Sequence, residues 1–289
     1  MEGHIMKLRK LLRSVASSSK MIVRSPRSYL RELENVSELV GGSKFARNWD
    51  QTPRSPDGGA ASKKLPPNPL REYFDKIETG PGIWKWQHYF EIYHRHLAKF
   101  VGRRVSLAEV GVYSGGSLHM WREYFGAECT IQGIDIQPAC KAYENDYTTI
   151  HIGDQADRHF WKEFRDSVGS LDILIDDGGH APEQQRITLE ETLPWLNAGG
   201  VYICEDVHGI RNPFAAFARS FVDGLNAFVR DHDSQFLGAL ATPLQSTIHS
   251  VHLYPFMVII EKTEHPVLRF DAPKHGTQWQ PFFRRAGNG

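Results

Sequence analysis

Acidic residues and a histidine follow two apolar segments of strand-like character. Residues 176–180, with the sequence DDGGH, come after the segment 171–175, and Glu205 and Asp206 come after the segment 201–204. If these segments are parallel strands of one sheet, their carboxyl ends open into the same crevice, where α/β proteins bind ligands. Close carboxylates repel one another unless a cation lies among them, and clustered oxygens suit a hard ion such as Mg²⁺. The spacing therefore predicts a metal site with His180 beside it as a base.

A second group of residues upstream predicts a ligand-binding turn. The segment 105–110 has the character of a buried strand and leads into residues 109–117, which read EVGVYSGGS. Leu118, Trp121 and Phe125 then recur at helical spacing, so we expect a helix to begin near Ser117. Glycine in a strand-to-helix turn lets the backbone approach a ligand closely.

The next two strand-like segments extend this half of the sheet. Residues 130–134 end in Asp135, which is placed to accept hydrogen bonds from a ribose diol, and residues 148–152 lead to Asp154. Together these features predict the nucleoside-binding half of a doubly wound sheet. The dinucleotide pattern GxGxxG fails because Tyr113 stands at its second glycine, and no GxxxxGK[ST] occurs, so we expect no phosphate cradle.

These motifs together resemble a known family. The E-x-G-x-x-x-G-G-S turn and the G-x-D strand end at residues 133–135 resemble the S-adenosylmethionine site of class I methyltransferases. With DDGxH, the later ED pair and SVHLY at residues 250–254, residues 72–263 resemble the metal-dependent sugar O-methyltransferases of the mycinamicin type. Cephalosporin-hydroxylase-like proteins are relatives of that group. The resemblance implies an α/β fold with a doubly wound, mostly parallel seven-stranded sheet and a C-terminal antiparallel hairpin.

The resemblance also assigns roles to residues. Periodicity does not separate Asp176 from Asp177 as a metal ligand, and the resemblance places the ligand at Asp177, with Glu205 and Asp206 beside it. His180 is the expected catalytic base. The expected S-adenosylmethionine contacts are Glu109, Gly111, Tyr113, Gly115, Ser117, Asp135, Asp154 and Asp176.

The implied activity is Mg²⁺-dependent transfer of the S-adenosylmethionine methyl group to a hydroxyl of a sugar or glycosylated natural product. A vicinal diol on this small-molecule acceptor would chelate the ion and hold one oxygen in line with the methyl group. Two alternatives stay open: methylation of a catechol-type diol, and a non-catalytic binding protein on the same fold. A nicotinamide oxidoreductase is disfavoured by Tyr113.

Composition narrows the partners and the location. The chain has 289 residues with 34 Lys and Arg against 34 Asp and Glu, so no global field favours nucleic acid. No apolar stretch approaches the roughly 20 residues that span a bilayer. The three cysteines, Cys129, Cys140 and Cys204, are odd in number and lack metal-type spacing, which indicates a reducing compartment. We therefore expect a cytoplasmic homo-oligomer; the basic N-terminus leaves an organelle or a membrane surface as alternatives.

Four segments are expected along the chain. Residues 1–50 form a basic helical extension, 51–70 a linker rich in Pro, Gly and Ser, 71–265 the methyltransferase domain and 266–289 a tail. In the extension, two short helices are predicted by the spacing of Ile5, Leu8, Leu11 and Leu12 and of Leu33, Val36, Leu39 and Val40. The extension has four candidate roles: an ordinary structural segment, a transit peptide, a membrane anchor, or an oligomerisation arm or lid.

Helical and strand-like segments alternate within the methyltransferase domain. Pro182 is expected to open a helix, residues 214–229 to form the last helix, and residues 248–262 to form an antiparallel hairpin around Pro255. Alternation of this kind predicts a mostly parallel sheet that helices cover on both faces.

Overall fold

The structure is a computed structural model that describes residues 26–47, 67–234 and 237–276. The chain divides into a unit of residues 1–65 and a unit of residues 66–289. In the first unit the described part is helix α1, Pro26–Arg47, which contains the predicted short helix at residues 33–40 and is longer than expected. The predicted helix at residues 5–12, most of the linker and the end of the tail lie outside the described residues. Among the helices of the described ranges, none is both long and apolar enough to span a membrane.

The second unit is built on a seven-stranded sheet with the order β3-β2-β1-β4-β5-β9-β8. Strands β1 to β5 are parallel, while β9 runs antiparallel to both β5 and β8. This confirms the predicted doubly wound sheet and its C-terminal hairpin. The strands of this sheet are β1 Val105–Val110, β2 Cys129–Asp135, β3 Thr148–Ile152, β4 Ile173–Asp176, β5 Val201–Cys204, β8 Ile248–Tyr254 and β9 Met257–Lys262.

The helices begin where the sequence supplies caps. Asn68 accepts backbone N–H groups at the start of α2, Asn212 does so at the start of α7, and Pro182 opens α6 as predicted. The helices of this unit are α2 Pro69–Lys76, α3 Tyr89–Leu97, α4 Gly116–Phe125, α5 Arg158–Val168, α6 Pro182–Thr192, α7 Pro213–Leu225 and α8 Pro243–Thr247. Two 3-10 turns, Ala98–Phe100 and Pro138–Tyr143, follow α3 and β2.

The prediction was wrong for the region after α7. The helix expected over residues 214–229 ends at Leu225, and a second, three-stranded antiparallel sheet follows, with the order β10-β7-β6. Its strands are short and largely exposed, so their sequences lack the apolar alternation that marks a strand. They are β6 Val229–Arg230, β7 Leu237–Leu240 and β10 Arg269–Ala272.

Large side chains cover both faces of the main sheet. Tyr93 of α3 and Trp121 of α4 are fully buried in one apolar cluster, and Trp161 and Phe214 are buried in a second. Burying one such side chain contributes about 1.5–3 kcal/mol. Since α3 and α4 are held by this packing, the turn and the polar side chains next to them are held in place as well.

The strand register aligns the ends that carry the predicted site. Val110 pairs with Ile134 on one side and with Asp176 on the other, and Asp176 pairs with Cys204. The residues that follow these strands therefore meet at one edge of the sheet. The chain order reverses between β1 and β4, and such a switch point opens a crevice in doubly wound folds.

Candidate active site

A cavity of about 780 Å³ lies at the carboxyl ends of the parallel strands. This volume is in the range of small-molecule sites, roughly 300–1,000 Å³. Among the described residues, three of the predicted donor contacts do not line this cavity: Glu109, Gly115 and Asp176. The predicted residues that do line the cavity are Gly111, Tyr113, Ser117, Asp135, Asp154, Asp177, His180, Glu205 and Asp206.

The turn after β1 requires glycine for a specific reason. Gly111 has φ +92°, and a Cβ atom there would lie 2.0 Å from the backbone oxygen of Asp177. Gly115 has φ +72°, and a Cβ atom there would lie 2.7 Å from the ring of Tyr143. Because side chains at these positions would clash and favour other dihedral angles, glycine lets the turn after β1 approach the end of β4 closely.

Asp135 holds the glycine turn in place. Its two carboxylate oxygens accept the backbone N–H groups of Tyr113 at 3.0 Å and Gln137 at 2.8 Å. Each carboxylate oxygen has a second lone pair, so these bonds leave acceptor capacity for a ribose diol. Asp154 is exposed at the end of β3, lines the same cavity, and accepts the N–H of Ala156 at 2.8 Å.

Glu109 supports the turn from beneath. Its side chain is fully buried, and Ser117 Oγ donates a hydrogen bond to Glu109 Oε2 at 2.7 Å. Burial raises the pKa of Glu109 above its usual value. Its other oxygen, Oε1, has no hydrogen-bond partner among the described residues and lies 3.6 Å from Lys85 Nζ.

Asp176 and its neighbour Asp177 have different surroundings. The Asp176 carboxylate is buried and accepts a hydrogen bond from Gln155 Nε2 at 2.9 Å, while Gln155 Oε1 accepts the N–H of Gly179 at 2.6 Å. Burial raises the pKa of Asp176 to about 6. Asp176 was predicted to contact the donor, but its carboxylate stabilises the loop after β4 and does not line the cavity.

Lys85 lies among the predicted metal-site carboxylates, a feature that sequence reasoning missed. Its Nζ atom is 2.6 Å from Asp177 Oδ2 and 3.0 Å from both carboxylate oxygens of Glu205, and its side chain is 3% exposed. Although burial alone lowers a lysine pKa, the charges of Asp177, Glu205 and Glu109 raise the pKa of Lys85 well above its usual value. The amine is therefore a buried ammonium.

Glu205 lies deeper than the other predicted ligands. It is fully buried, and Tyr93 donates a hydrogen bond to Glu205 Oε1 at 2.6 Å, in addition to the bonds from Lys85. Burial, with a further contribution from the charge of Asp177, raises the pKa of Glu205 to about 8, and Lys85 only partly opposes this shift. Lys85 therefore contacts both carboxylate oxygens of Glu205, and Tyr93 contacts one of them.

The ligand atoms open to the cavity come from Asp177, His180 and Asp206. One ligand atom of each lies within 4.8 Å of the others, and His180 Nε2 is 3.7 Å from Asp206 Oδ2. His180 Nδ1 is buried without a hydrogen-bond partner among the described residues. Two carboxylates and an imidazole at this spacing fit a divalent cation or an acceptor hydroxyl.

Backbone strain is concentrated around the cavity. Of the non-glycine residues with positive φ in the described ranges, Tyr113 (49°), His180 (55°) and Asp206 (54°) line it, and Phe256 (62°) does not. Such conformations cost free energy and persist where the surrounding structure holds them, often at functional sites. All three follow strands of the main sheet, so this strain aims their backbone and side chains into the crevice.

The segment of residues 77–88, which we name the strap, connects α2 to α3 and forms one wall. Trp86 Nε1 donates a hydrogen bond to Asp206 Oδ1 at 2.9 Å, and Tyr89, the first residue of α3, donates to the same oxygen at 3.0 Å. The strap therefore brings an ammonium and an indole to carboxylates more than 90 residues away in the chain.

Only weak sequence signals point to these additional residues. Lys85 is a single basic residue between two tryptophans, and Tyr93 has the spacing of a helix core position. Gln155 follows the predicted strand end at Asp154 and has no distinctive pattern. A lysine within an aromatic, otherwise apolar segment was the one clue to a buried cation.

No protein-family profile matches the chain. Curated proteins do match. The chain is 30% identical over 208 residues to 8-demethyl-8-alpha-L-rhamnosyl tetracenomycin-C 2'-O-methyltransferase of Streptomyces olivaceus, covering 64% of this chain and 53% of that protein. It is 34% identical over 156 residues to demethylmacrocin O-methyltransferase of Streptomyces fradiae, covering 52% and 38%. The chain spans about half the length, or less, of these relatives.

A solved structure agrees. The MycE methyltransferase of the mycinamycin biosynthetic pathway, in complex with Mg, SAH and mycinamycin VI, is 25% identical with a TM-score of 0.56, covering 68% of this chain and 54% of that one. The chain is similar to sugar O-methyltransferases and has the class I methyltransferase fold. Two of the relatives are named for O-methylation of 8-demethyl-8-alpha-L-rhamnosyl tetracenomycin-C and of mycinamicin VI. The predicted resemblance is confirmed.

Proposed function

We propose that this protein transfers the methyl group of S-adenosylmethionine to a hydroxyl of a sugar on a glycosylated natural product, with Mg²⁺ bound at Asp177, Glu205 and Asp206. One observation carries the proposal: the glycine turn after β1 and the acidic strand ends after β4 and β5 line a single cavity. The turn suits a nucleoside, and the acidic residues suit a cation and a hydroxyl.

The donor half of the cavity has features that a nucleoside needs. Asp135 lines it with acceptor capacity left over, and Gly111 leaves room for close approach to the backbone. Tyr113 is 73% exposed next to them, so its ring is available to cover a bound ligand. Among the described residues that line the cavity, Lys85 is the one lysine or arginine, and its ammonium is paired with Asp177 and Glu205, which suits a donor without phosphate groups.

The transfer itself is a single displacement. The acceptor oxygen attacks the methyl carbon, the bond from that carbon to sulfur breaks, and the sulfur leaves as a neutral thioether with both electrons of that bond. The hydroxyl proton passes to the imidazole of His180, which lines the cavity. A positioned base of this kind contributes typically about 10²–10⁴-fold.

The acidic residues provide the electrostatic part of this mechanism. Asp177 and Asp206 are partly exposed to the cavity, while Glu205 lies behind them. Mg²⁺ at this site would stabilise the negative charge that develops on the hydroxyl oxygen, an effect worth several kcal/mol. Lys85, Trp86 and Tyr89 orient the carboxylates by hydrogen bonds.

The acceptor class follows from the relatives and the cavity. The names of the matched proteins describe methylation of rhamnosyl and other sugar hydroxyls, and a volume of about 780 Å³ holds the donor together with a sugar ring. A sugar carries vicinal hydroxyls, as does a catechol, so catechol methylation is the second candidate. Methylation of a catechol would use the same acidic residues, Asp177, Glu205 and Asp206.

The experiment compares matched acceptors. Purified protein is incubated with S-adenosylmethionine, Mg²⁺ and one acceptor at a time: a rhamnosylated aromatic polyketide, its aglycone or a free catechol. The products are identified by mass spectrometry. We expect the protein to add one methyl group to the glycoside and none to the aglycone or the catechol. Excess chelator should abolish this activity, and added Mg²⁺ should restore it. Methylation of the catechol but not the glycoside favours the second candidate. Donor binding without any turnover favours a binding protein, and full turnover in chelator with verified metal-free protein refutes the metal role.

Donor binding and chemistry are separated by two variants. Asp135→Ala removes the proposed ribose acceptor, so calorimetry should show that S-adenosylmethionine affinity falls by about 1.5–3 kcal/mol, the worth of a hydrogen bond to a charged group. His180→Ala should bind the donor as the wild type does and fail in turnover. Equal loss of donor affinity in both variants would place His180 in the wall of the donor site and remove its role as base.

A further inference from the structure

A second cluster of ligand-type side chains lies away from the cavity. His96 at the end of α3, His252 on β8 and Glu261 on β9 bring one ligand atom each to within 4.8 Å of the others. His96 Nδ1 lies 2.5 Å, and His252 Nε2 3.7 Å, from the same oxygen of Glu261. These residues are outside the cavity lining, so the candidate active site does not account for them.

We propose that His96, His252 and Glu261 form a binding site for a divalent transition-metal ion, with Zn²⁺ as the ion that fits. This site is additional to the proposed function and does not depend on it. Two imidazoles and a carboxylate are ligands that Zn²⁺ takes in three-ligand sites, whereas Mg²⁺ prefers oxygens alone.

The distances agree with that ion. Zn²⁺ bonds of about 2.0–2.2 Å in a tetrahedral arrangement place neighbouring ligand atoms roughly 3.3 Å apart. The two distances to Glu261 Oε1, 2.5 Å and 3.7 Å, lie on either side of this value. Each of these two distances differs from the expected one by less than an ångström, so small side-chain shifts bring Glu261 into ligand geometry with each histidine.

The hydrogen bonds around the cluster suit a metal ligand set. Tyr254 OH lies 2.9 Å from His96 Nε2 and can accept a hydrogen bond from Nε2–H once Nδ1 binds an ion, which fixes the tautomer. His252 Nε2 lies 2.9 Å from Ser250 Oγ, and an ion would replace that hydrogen bond. The hydrogen bond from His96, together with Lys99 on the second oxygen at 3.0 Å, holds the pKa of Glu261 at about 2, so this ligand is ionised at neutral pH. Burial lowers the pKa of His252, which keeps that ring neutral.

The location of the cluster determines how an ion can enter it and what the bound ion would change. The His252 side chain is 35% exposed while that of His96 is 3% exposed, so an ion enters from the His252 side and completes its coordination with water. An ion held there ties α3 to the hairpin β8–β9. Since α3 also carries Tyr89 and Tyr93, which contact Asp206 and Glu205, the ion would stiffen one wall of the candidate active site.

The test titrates Zn²⁺ into chelator-stripped full-length protein against a chromophoric chelator, and records the ligand-field spectrum after Co²⁺ is added. His252→Ala removes the most exposed ligand, and His94→Ala, on the same helix as His96, is the matched control because His94 is outside the cluster and bonds Tyr124 instead. Asp177→Asn controls for binding at the cavity. Glu261→Gln, nearly isosteric, provides a second ligand variant if His252→Ala does not fold.

We expect the wild type to have a Zn²⁺ site whose Kd is raised at least tenfold by His252→Ala or Glu261→Gln and is unchanged by His94→Ala or Asp177→Asn. The Co²⁺ complex should show the intense absorption of four-coordinate Co²⁺ only while the cluster is intact. Binding that is equally weak in the wild type and His252→Ala, or that His94→Ala weakens as much, overturns the proposal and leaves a hydrogen-bonded network without a metal. Because no methyl transfer is measured, failure of the proposed function does not affect this result.

Discussion

Helix α3 connects two clusters of charged side chains with opposite balance. Before its first turn, the ammonium of Lys85 lies among three carboxylates, those of Glu109, Asp177 and Glu205. At its end, the carboxylate of Glu261 contacts Lys99, His96 and His252. The first cluster has more acids than cations, and the second has one acid among several basic groups.

The pKa values of two glutamates express this difference. Burial and the charge of Asp177 raise the pKa of Glu205 to about 8, whereas the hydrogen bond from His96 and the contact with Lys99 lower the pKa of Glu261 to about 2. The same side chain is therefore harder to ionise in the first cluster than in the second. An acidic excess attracts a hard cation, while imidazoles beside one carboxylate suit a borderline ion.

The largest expected effect comes from removing one charge of the acidic cluster that is open to the cavity. Asp177→Asn should lower kcat/KM for the glycoside by roughly 10³-fold or more, because several kcal/mol of charge stabilisation would be lost. Asp176→Asn is the matched neighbour, since its carboxylate contacts Gln155 and not the cavity. Steady-state kinetics on both variants check this; equal losses would show that the acidic cluster has no special role.

Removing the cation of the first cluster should destabilise the fold. Lys85→Met leaves buried carboxylates without their partner, which costs on the order of 3–5 kcal/mol. Mg²⁺ should raise the Tm of this variant more than that of the wild type, because the ion replaces part of the missing charge. Urea unfolding and calorimetry with and without Mg²⁺ measure both quantities, and Lys85→Arg controls for the charge. A Lys85→Met protein as stable as the wild type would contradict a charged Lys85.

The second cluster, around Glu261, predicts that the free energy of unfolding depends on pH. The folded pKa of Glu261, about 2, lies below its usual 4.5, so its carboxylate stabilises the fold above the usual pKa and this contribution is lost as pH falls towards 2. In chelator-containing buffer, Glu261→Gln should cost about 1–2 kcal/mol at pH 7, after allowance for solvent screening. Urea unfolding at pH 7, 4.5 and 3 should show the gap between wild type and variant shrinking. A constant gap would mean that the charge contributes nothing.

The smallest effect is expected for Lys99→Met, the substitution in the second cluster that corresponds to Lys85→Met in the first. Lys99 is 34% exposed and contacts Glu261 from the surface, so Lys99→Met should cost only about 0.2–1 kcal/mol. Urea unfolding under the conditions used for Lys85→Met gives the direct comparison. If the two substitutions cost the same, burial would not be the cause of the difference between the clusters.

Much of the site followed from local patterns. Apolar segments ending in acids, and a glycine turn before a helix, placed Gly111, Asp135, Asp177, His180 and Glu205 at strand ends, and these residues do line one cavity. The alternation of strands and helices also predicted a mostly parallel sheet, and the resemblance implied its seven strands. These inferences succeed because parallel strands in a doubly wound sheet place their carboxyl ends at one edge, whatever the rest of the chain does.

Other features were beyond such patterns. Local periodicity had no means of showing that the Asp176 carboxylate contacts Gln155 while Asp177 contacts Lys85. The three-stranded sheet was missed because its strands are short and exposed. Each of these depends on contacts between residues that are distant in the chain.

The sequence by itself determined which backbone positions end strands and turn at glycine, since these features are encoded locally. Only the tertiary structure decided which charges meet. Lys85 reaches Asp177 across 92 residues and Glu205 across 120, and His96 reaches Glu261 across 165. A buried charge is stable only when an opposite charge or a donor lies within a few ångströms, and packing of the whole domain selects that partner.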